Sequence, residues 1–328
     1  MQVDGPACGT AATGYDHDGT EASASGTSGF NTSAPGTPAP GTSAPDAAHL
    51  PIGMFDSGVG GLTVLKALRT RMPCEDILYL GDTARLPYGT KSAETITRYA
   101  VQAASRLVQR RIKLLVVACN TATSVALDAL RAANPGLPVV GVVQPGAQAA
   151  CRASRRGNIA VIATESTIRG RAYHKAIHSL RPDAQIIGQP CPLFVPLAEE
   201  GWVDGKIVED IAARYLDPIF RPASGSDTPE TPDCLVLGCT HFPLLARAIR
   251  NVIGPEPVIV DSAATTALAV QAELQAAGLV RPLRTGPGGN ECGEARFLTT
   301  DDVPRFARTG GLFLGTAIAP DEVELIDL

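Results

Sequence analysis

Two of the eight cysteines in this 328-residue chain stand where a thiol can do chemistry. Cys119 follows the apolar run 114–118 and precedes Asn120 and Thr121, where an amphipathic stretch begins. Cys239 follows the run 235–237 and Gly238, and precedes Thr240 and His241. Each pattern reads as a buried strand delivering a cysteine to the start of a helix. In open α/β sheets that edge, beyond the carboxyl ends of the strands, is where ligands bind. Free N–H groups and partial positive charge at a helix N-terminus are expected to pull a thiol below its free pKa of about 8.5. Asn120 and Thr121 add neutral hydrogen-bonding groups able to hold a carboxylate. The sequence therefore offers two activated sulfurs with polar followers.

The other cysteines carry less. Cys74, Cys151, Cys191, Cys234 and Cys292 lack this setting and read as structural, because a free cysteine packs well as a small buried hydrophobe. A metal site built from Cys234, Cys239 and His241 is disfavoured, since the spacing puts the two sulfurs at opposite ends of one strand. No C-x-x-C occurs, and so long and core-rich a chain needs no disulfide staple; a reducing, cytoplasmic setting is expected. The N-terminus lacks the basic start and apolar stretch of a secretory leader. No apolar run approaches the ~18 residues of a membrane span, so no membrane partner is expected.

The formal charge is −5, from 28 basic and 33 acidic residues. Asp4, Asp16, Asp18, Glu21 and Asp46 lie in the first fifty residues, which hold no Lys or Arg, so the rest of the chain is balanced. A neutral core leaves no electrostatic footprint for nucleic acid. Residues 1–48, rich in Gly, Ser, Thr, Ala and Pro, are expected to form a disordered low-complexity extension. Translation beginning near Met54 or another downstream start is the competing reading.

From Leu50 onward, short apolar runs (51–55, 77–80, 114–118, 139–143, 159–163, 235–237, 258–260) alternate with helical patterns (61–71, 92–110, 121–133, 168–180). These are βα units, and uninterrupted apolar strands suit parallel sheets covered on both faces. The fold class is α/β. An internal repeat extends this: LLVVAC at 114–119 resembles LVLGC at 235–239, and IGMFDS at 52–57 resembles VIVDS at 258–262. The repeat predicts two pseudo-symmetric parallel-sheet lobes with the active site in the cleft between them, 51–142 plus 261–316 carrying Cys119 and 143–260 carrying Cys239. Polar segments 221–232 and 282–294 read as surface loops.

Four segments, FDSGVGGL at 55–62, GDTARLPYG at 81–89, ACNTA at 118–122 and GCTHFP at 238–243, resemble the signature segments of glutamate racemases in order and approximate spacing. The resemblance covers roughly residues 51–316, and the first two segments separate this family from its aspartate and hydantoin cousins. It implies cofactor-independent racemisation of L-glutamate to D-glutamate, which supplies peptidoglycan precursors. One thiolate stands on each face of the α-carbon; one abstracts the proton while the opposite thiol donates. Cys119 and Cys239 would straddle the substrate, with no pyridoxal phosphate and no metal.

The same resemblance places Asp56 beside Cys119 and His241 beside Cys239 as accessory acid–base groups. It puts Glu199, with Glu200 as the alternative, near the first thiol. Substrate contacts fall on Asp56, Ser57, Asn120, Thr121, Thr164, Thr240, His241 and the backbone around Tyr88 and Gly89. Each has a plainer role set against it: a helix N-cap for Asp56, a packed ring for His241 or Tyr88, a solvated helix face for Glu199 and Glu200, a simple cap for Thr164. The glycines at 58, 60 and 61 do not complete G-x-G-x-x-G, because position 63 is Thr; they read as a tight turn bringing Asp56 and Ser57 to the site. Gln144 and Gly170 depart from the family's usual Glu and Ser, which bears on packing or specificity rather than on reaction type. The oligomeric state is open, a homodimer being one option. The neutral core gives no support for the DNA gyrase inhibition reported within the family.

Overall fold

The apolar runs become strands, and their ends fix where the polar residues that follow them emerge. The computed structural model describes residues 47–221, 231–282, 285–286, 289–290 and 292–328. The extension expected over 1–48 falls outside these residues as far as residue 46, as do most of the loop expected over 221–232 and part of that over 282–294. In chain order the strands are β1 (Ile52–Asp56), β2 (Ile77–Gly81), β3 (Leu114–Val117), β4 (Val139–Gly141), β5 (Asn158–Ala163), β6 (Gln185–Pro190), β7 (Cys234–Gly238), β8 (Val258–Asp261), β9 (Thr285–Gly286), β10 (Gly289–Asn290), β11 (Ala295–Thr299) and β12 (Val323–Leu325).

Ten of them form two parallel sheets. The larger runs β12-β11-β2-β1-β3-β4 and the smaller β6-β5-β7-β8; β9 and β10 make a separate antiparallel ribbon. Side chains alternate across each sheet, as a period of two demands. In the larger sheet Ile52, Met54, Leu114 and Val116 join one core, while Phe55, Leu80, Leu115 and Val117 join the other. In the smaller, Ala160, Ile162, Leu235 and Leu237 face one way and Ile159, Val161, Cys234 and Val236 the other. Both sheets are therefore covered on both faces, which is why their central strands carry no polar alternation.

Some elements differ from expectation. The helix read over 168–180 is two helices, Glu165–Arg169 and Ala172–Leu180, with Arg171 between them at a left-handed φ of 53°. The strand read over 139–143 stops at Gly141, and Val143 already opens the helix Val143–Ala153. Strand β6 was not foreseen, because Gly188, Gln189 and Pro190 interrupt its apolar character; as an edge strand it needs little.

At the amino ends of the strands, opposite the thiols, lies a buried ionic cluster. Lys113 Nζ is 2.5 Å from Glu75 Oε2 and donates to the Ala48 carbonyl at 2.8 Å. Arg281 donates its backbone N–H to Glu75 Oε1 at 2.8 Å and its guanidinium lies 2.5 Å from Asp76. Ala48 is itself buried, so the anchored chain reaches into the last residues of the expected extension. Removing one partner of a buried ion pair strands the other, so Lys113→Ala is expected to cost about 3–5 kcal/mol. Thermal denaturation checks this, with a lowered Tm as the expected result. Among the described residues no helix is long and apolar enough to cross a membrane.

Candidate active site

Strand register brings the chemistry together. Phe55 lies level with Val117, so Asp56 and Cys119 leave neighbouring strands β1 and β3 at the same edge. In the smaller sheet Ala163 lies level with Gly238, so Thr164 and Cys239 leave β5 and β7 side by side. The two sulfurs are near enough that charge on Cys239 raises the pKa of Cys119. Both are buried.

Cys119 is the N-cap residue of the helix Asn120–Ala133, and its Sγ accepts from the Ala122 N–H at 3.4 Å. The thiol lies 3.5 Å from Ser57 Oγ, to which it donates. Here the expectation of a depressed thiol pKa fails. Burial pushes Cys119 up to about 12, helped by the nearby Asp56 charge and opposed by the hydrogen bonds with Ser57 and Ala122. The magnitudes explain the outcome: a helix terminus contributes at most about 2 kcal/mol, whereas full desolvation shifts a pKa by up to roughly 3–5 units, each worth about 1.4 kcal/mol.

Asp56 combines both roles set against each other. One oxygen, Oδ2, accepts from the Gly58 and Gly61 N–H groups at 3.2 and 3.0 Å and shapes the turn before the helix Leu62–Arg71. The other, Oδ1, is buried with no hydrogen-bond partner. Burial raises its pKa, against the lowering pull of His241 and of those backbone donors.

Around Cys239 the surroundings are ionic. His241 Nδ1 is 3.8 Å from Sγ, and Nε2 is 3.2 Å from Glu199 Oε1. Glu199 Oε2 in turn accepts from Arg305 at 3.5 Å. Burial alone would lower the His241 pKa, but the hydrogen bonds to Cys239 and Glu199 outweigh it and raise it to about 10. Burial would raise Glu199, and its bond to His241 outweighs that in turn, holding the carboxylate below its ordinary range. Glu199, expected near the first thiol, thus belongs to the second. It closes the helix Phe194–Glu199, which packs on the segment holding His241, while Glu200 lies exposed one residue beyond.

Polar groups from the two sheets meet in a seam. Thr121 Oγ1 is 3.0 Å from Thr164 Oγ1 and 3.3 Å from Thr167 Oγ1. Thr164 makes no side-chain cap; its hydroxyl faces Thr121 instead. Tyr173 donates to Asn120 Oδ1 at 2.7 Å, leaving Asn120 Nδ2 buried and unpartnered. Tyr88 donates to Asp82 Oδ2 at 2.6 Å, so its hydroxyl is engaged and its ring is core. Gly89 lies against Thr164, where a Cβ would come within 2.9 Å of the Thr164 Cβ. Thr240 is buried, and its carbonyl accepts from Thr63 Oγ1 at 3.2 Å across the seam.

Sequence reasoning missed Tyr173, Thr167, Arg305 and Phe313. The Phe313 ring meets His241 edge-on, centroids 5.0 Å apart. Tyr173 and Thr167 stood within reach of a signal, since both lie just after the run ending at Ala163. Arg305 and Phe313, on the helix Val303–Leu314, are placed by tertiary structure alone and carry no local mark.

Comparisons with known proteins show the family. The model of the Asp/Glu/hydantoin racemase family matches residues 63–270. A glutamate racemase of Geobacter metallireducens is 50% identical over 264 residues, 80% of this chain and 92% of that protein. Among solved structures, a glutamate racemase isoform from Bacillus anthracis superposes with a TM-score of 0.77 at 36% identity, covering 86% of this chain and 98% of that one. The glutamate racemase of Francisella tularensis, solved with D-glutamate, gives 0.75 at 34% identity over 85% and 98%. With two parallel sheets, a thiol at the edge of each, and relatives matched along nearly their whole length, this chain belongs to the Asp/Glu/hydantoin racemase family.

Proposed function

We propose that the chain is an enzyme racemising glutamate, interconverting the L and D forms by proton transfer between Cys119 and Cys239 and so supplying D-glutamate for peptidoglycan precursors. The observation that carries this is the pair of buried sulfurs, one at the edge of each sheet, within electrostatic reach of each other and flanked by unpartnered polar atoms. The segments 51–142 plus 261–316 and 143–260 act as two lobes, with the substrate held in the seam.

The α-proton of an amino acid is a very weak acid, so both faces of the α-carbon need a group at the right protonation state. The surroundings distinguish the two sulfurs before substrate arrives. Burial and Asp56 keep Cys119 a thiol. Beside Cys239, His241 Nδ1 stands at 3.8 Å, within reach to pass a proton to or from the sulfur. In one direction Cys239 abstracts and Cys119 donates; in the other the roles reverse. Asn120 Nδ2, the hydroxyls of Ser57, Thr121, Thr164 and Thr240, and the N–H groups at the Cys119 helix start bind carboxylate. The free oxygen of Asp56 accepts from the ammonium, and the backbone at Tyr88 and Gly89 closes one side.

The test is circular dichroism of L-glutamate and, separately, L-aspartate in deuterated water with the purified chain alone. Loss of optical activity with one α-deuterium per product glutamate, and no change in aspartate, is the expected result. Silence with both substrates refutes the proposal, and turnover of aspartate alone reassigns the substrate.

A further inference from the structure

Beside Val59, Leu86 and Phe306 lies a cavity of about 90 Å³. Its polar lining comes from Thr83, Glu199, Asp301, Asp302, Arg305 and Thr309. A polar space of this size holds several waters, since one needs only about 10–15 Å³. Asp301, Asp302 and Arg305 are exposed, so the cavity opens to solvent at the start of the helix Val303–Leu314. The residues proposed to touch substrate do not line it; Glu199, which supports His241, does, and it is the cavity's link to the site. That carboxylate presents Oε1 to His241 at 3.2 Å and Oε2 to Arg305 at the cavity wall. His241 Nδ1 completes the path to Cys239 Sγ at 3.8 Å.

We propose that this cavity is a proton port for Cys239, connected to the sulfur by His241 and Glu199 and separate from the substrate entrance. The inference rests on the two-thiol reading above. Each turnover leaves one sulfur protonated and the other bare, in the arrangement opposite to the start. Before the same enantiomer can react again, both sulfurs must exchange a proton with water, one losing and the other gaining it. In the port, a proton from bulk water reaches Glu199, passes to His241 Nε2, and His241 Nδ1 delivers one to Sγ; reversal removes it. One proton moves through the port and Cys119 exchanges its own through the open cleft; no bond to carbon changes and no electrons transfer. Among the described residues the neighbours of Cys119, Ser57 and Asp56, are buried and form no comparable imidazole–carboxylate chain. The port therefore gives Cys239 a route to water that does not pass through the substrate cleft.

The test obstructs the port without touching the site. Thr309→Leu fills the cavity from a residue with no part in binding or acid–base chemistry. Resetting lies after product release and before the next capture, so a slower reset lowers kcat and KM together and leaves kcat/KM unchanged. A parallel fall of about tenfold, the low end of acid–base effects, is expected. Arg305→Met, on an exposed side chain that risks no folding defect, should lower both by about threefold, the scale of an exposed ion pair. Arg305→Lys should restore them. Unchanged kcat and KM in both Thr309→Leu and Arg305→Met, or a fall in kcat at constant KM, overturns the port. Either result leaves the racemase reading intact so long as the wild type racemises; a wild type that does not racemise removes that reading itself.

Discussion

Cys119→Ala and Cys239→Ala are each expected to abolish net racemisation, with kcat falling by at least about 10³-fold, well inside the range assigned to a positioned acid or base. The two variants should differ in what survives. A single sulfur reaches one face of the α-carbon, so each variant can exchange the α-hydrogen of only one enantiomer with solvent, and the two variants should choose opposite enantiomers. Nuclear magnetic resonance of L- and D-glutamate incubated separately in deuterated water reads this directly. Folding should persist in both. Cys119 Sγ makes one long cap contact to Ala122, and losing a cap costs about 1 kcal/mol. Wild-type turnover in either variant would defeat the two-base scheme; exchange of the same enantiomer by both would defeat the placement of the sulfurs on opposite faces.

The second large effect is expected at Gly60. A Cβ built there would lie 2.5 Å from His241 Nδ1 and 2.6 Å from its Cε1, and closer still to Thr240 Oγ1. Neither neighbour can yield cheaply. His241 is buried and held by Cys239, Glu199 and the edge of Phe313, and Thr240 is buried against Thr63. Gly60→Ala must therefore push the imidazole off Cys239 or spread the seam. Misplacing a catalytic group by about 1 Å can cost 10²-fold, so kcat/KM should drop by about that factor. Overpacking should also remove about 1–3 kcal/mol of stability, visible as a lower denaturation midpoint. Near-wild-type activity would mean that the seam is loose and that His241 does not depend on Gly60 for its position.

Gly60 also marks how far sequence alone could lead. The glycines at 58, 60 and 61 were legible as a tight turn because a strand precedes and a helix follows. That the turn is pressed against His241, about 180 residues away, needs the seam between two sheets. The same division holds elsewhere. Cys119, Cys239, Asp56 and Thr164 each follow a buried run, so the edge they share could be read from local pattern, and register then sets them side by side. Glu199 had no such frame: a short helix ending on the smaller-sheet side decides which sulfur it serves, and it serves Cys239. The Cys119 pKa was misjudged for a related reason. A helix start is visible in sequence, but the completeness of burial that overrides it is a property of packing. Strands β11 and β12, which widen the larger sheet from the far end of the chain, are short and carry no run long enough to announce them.

The support given to the two sulfurs is lopsided: His241, Glu199 and Arg305 stand behind Cys239, and among the described residues nothing ionic beyond Asp56 stands behind Cys119. For a reaction between mirror images this asymmetry has a strict limit. L- and D-glutamate have equal free energy in water, so no placement of charges can bias the final mixture, and detailed balance makes the forward and reverse specificity constants identical in the wild type and in every variant. What lopsided support can do is set dwell times. It decides which enantiomer rests longer on the protein and which is processed faster at saturation, always with the two changes cancelling. A chiral scaffold built unevenly around its substrate thus governs the tempo of each direction and leaves the destination symmetric.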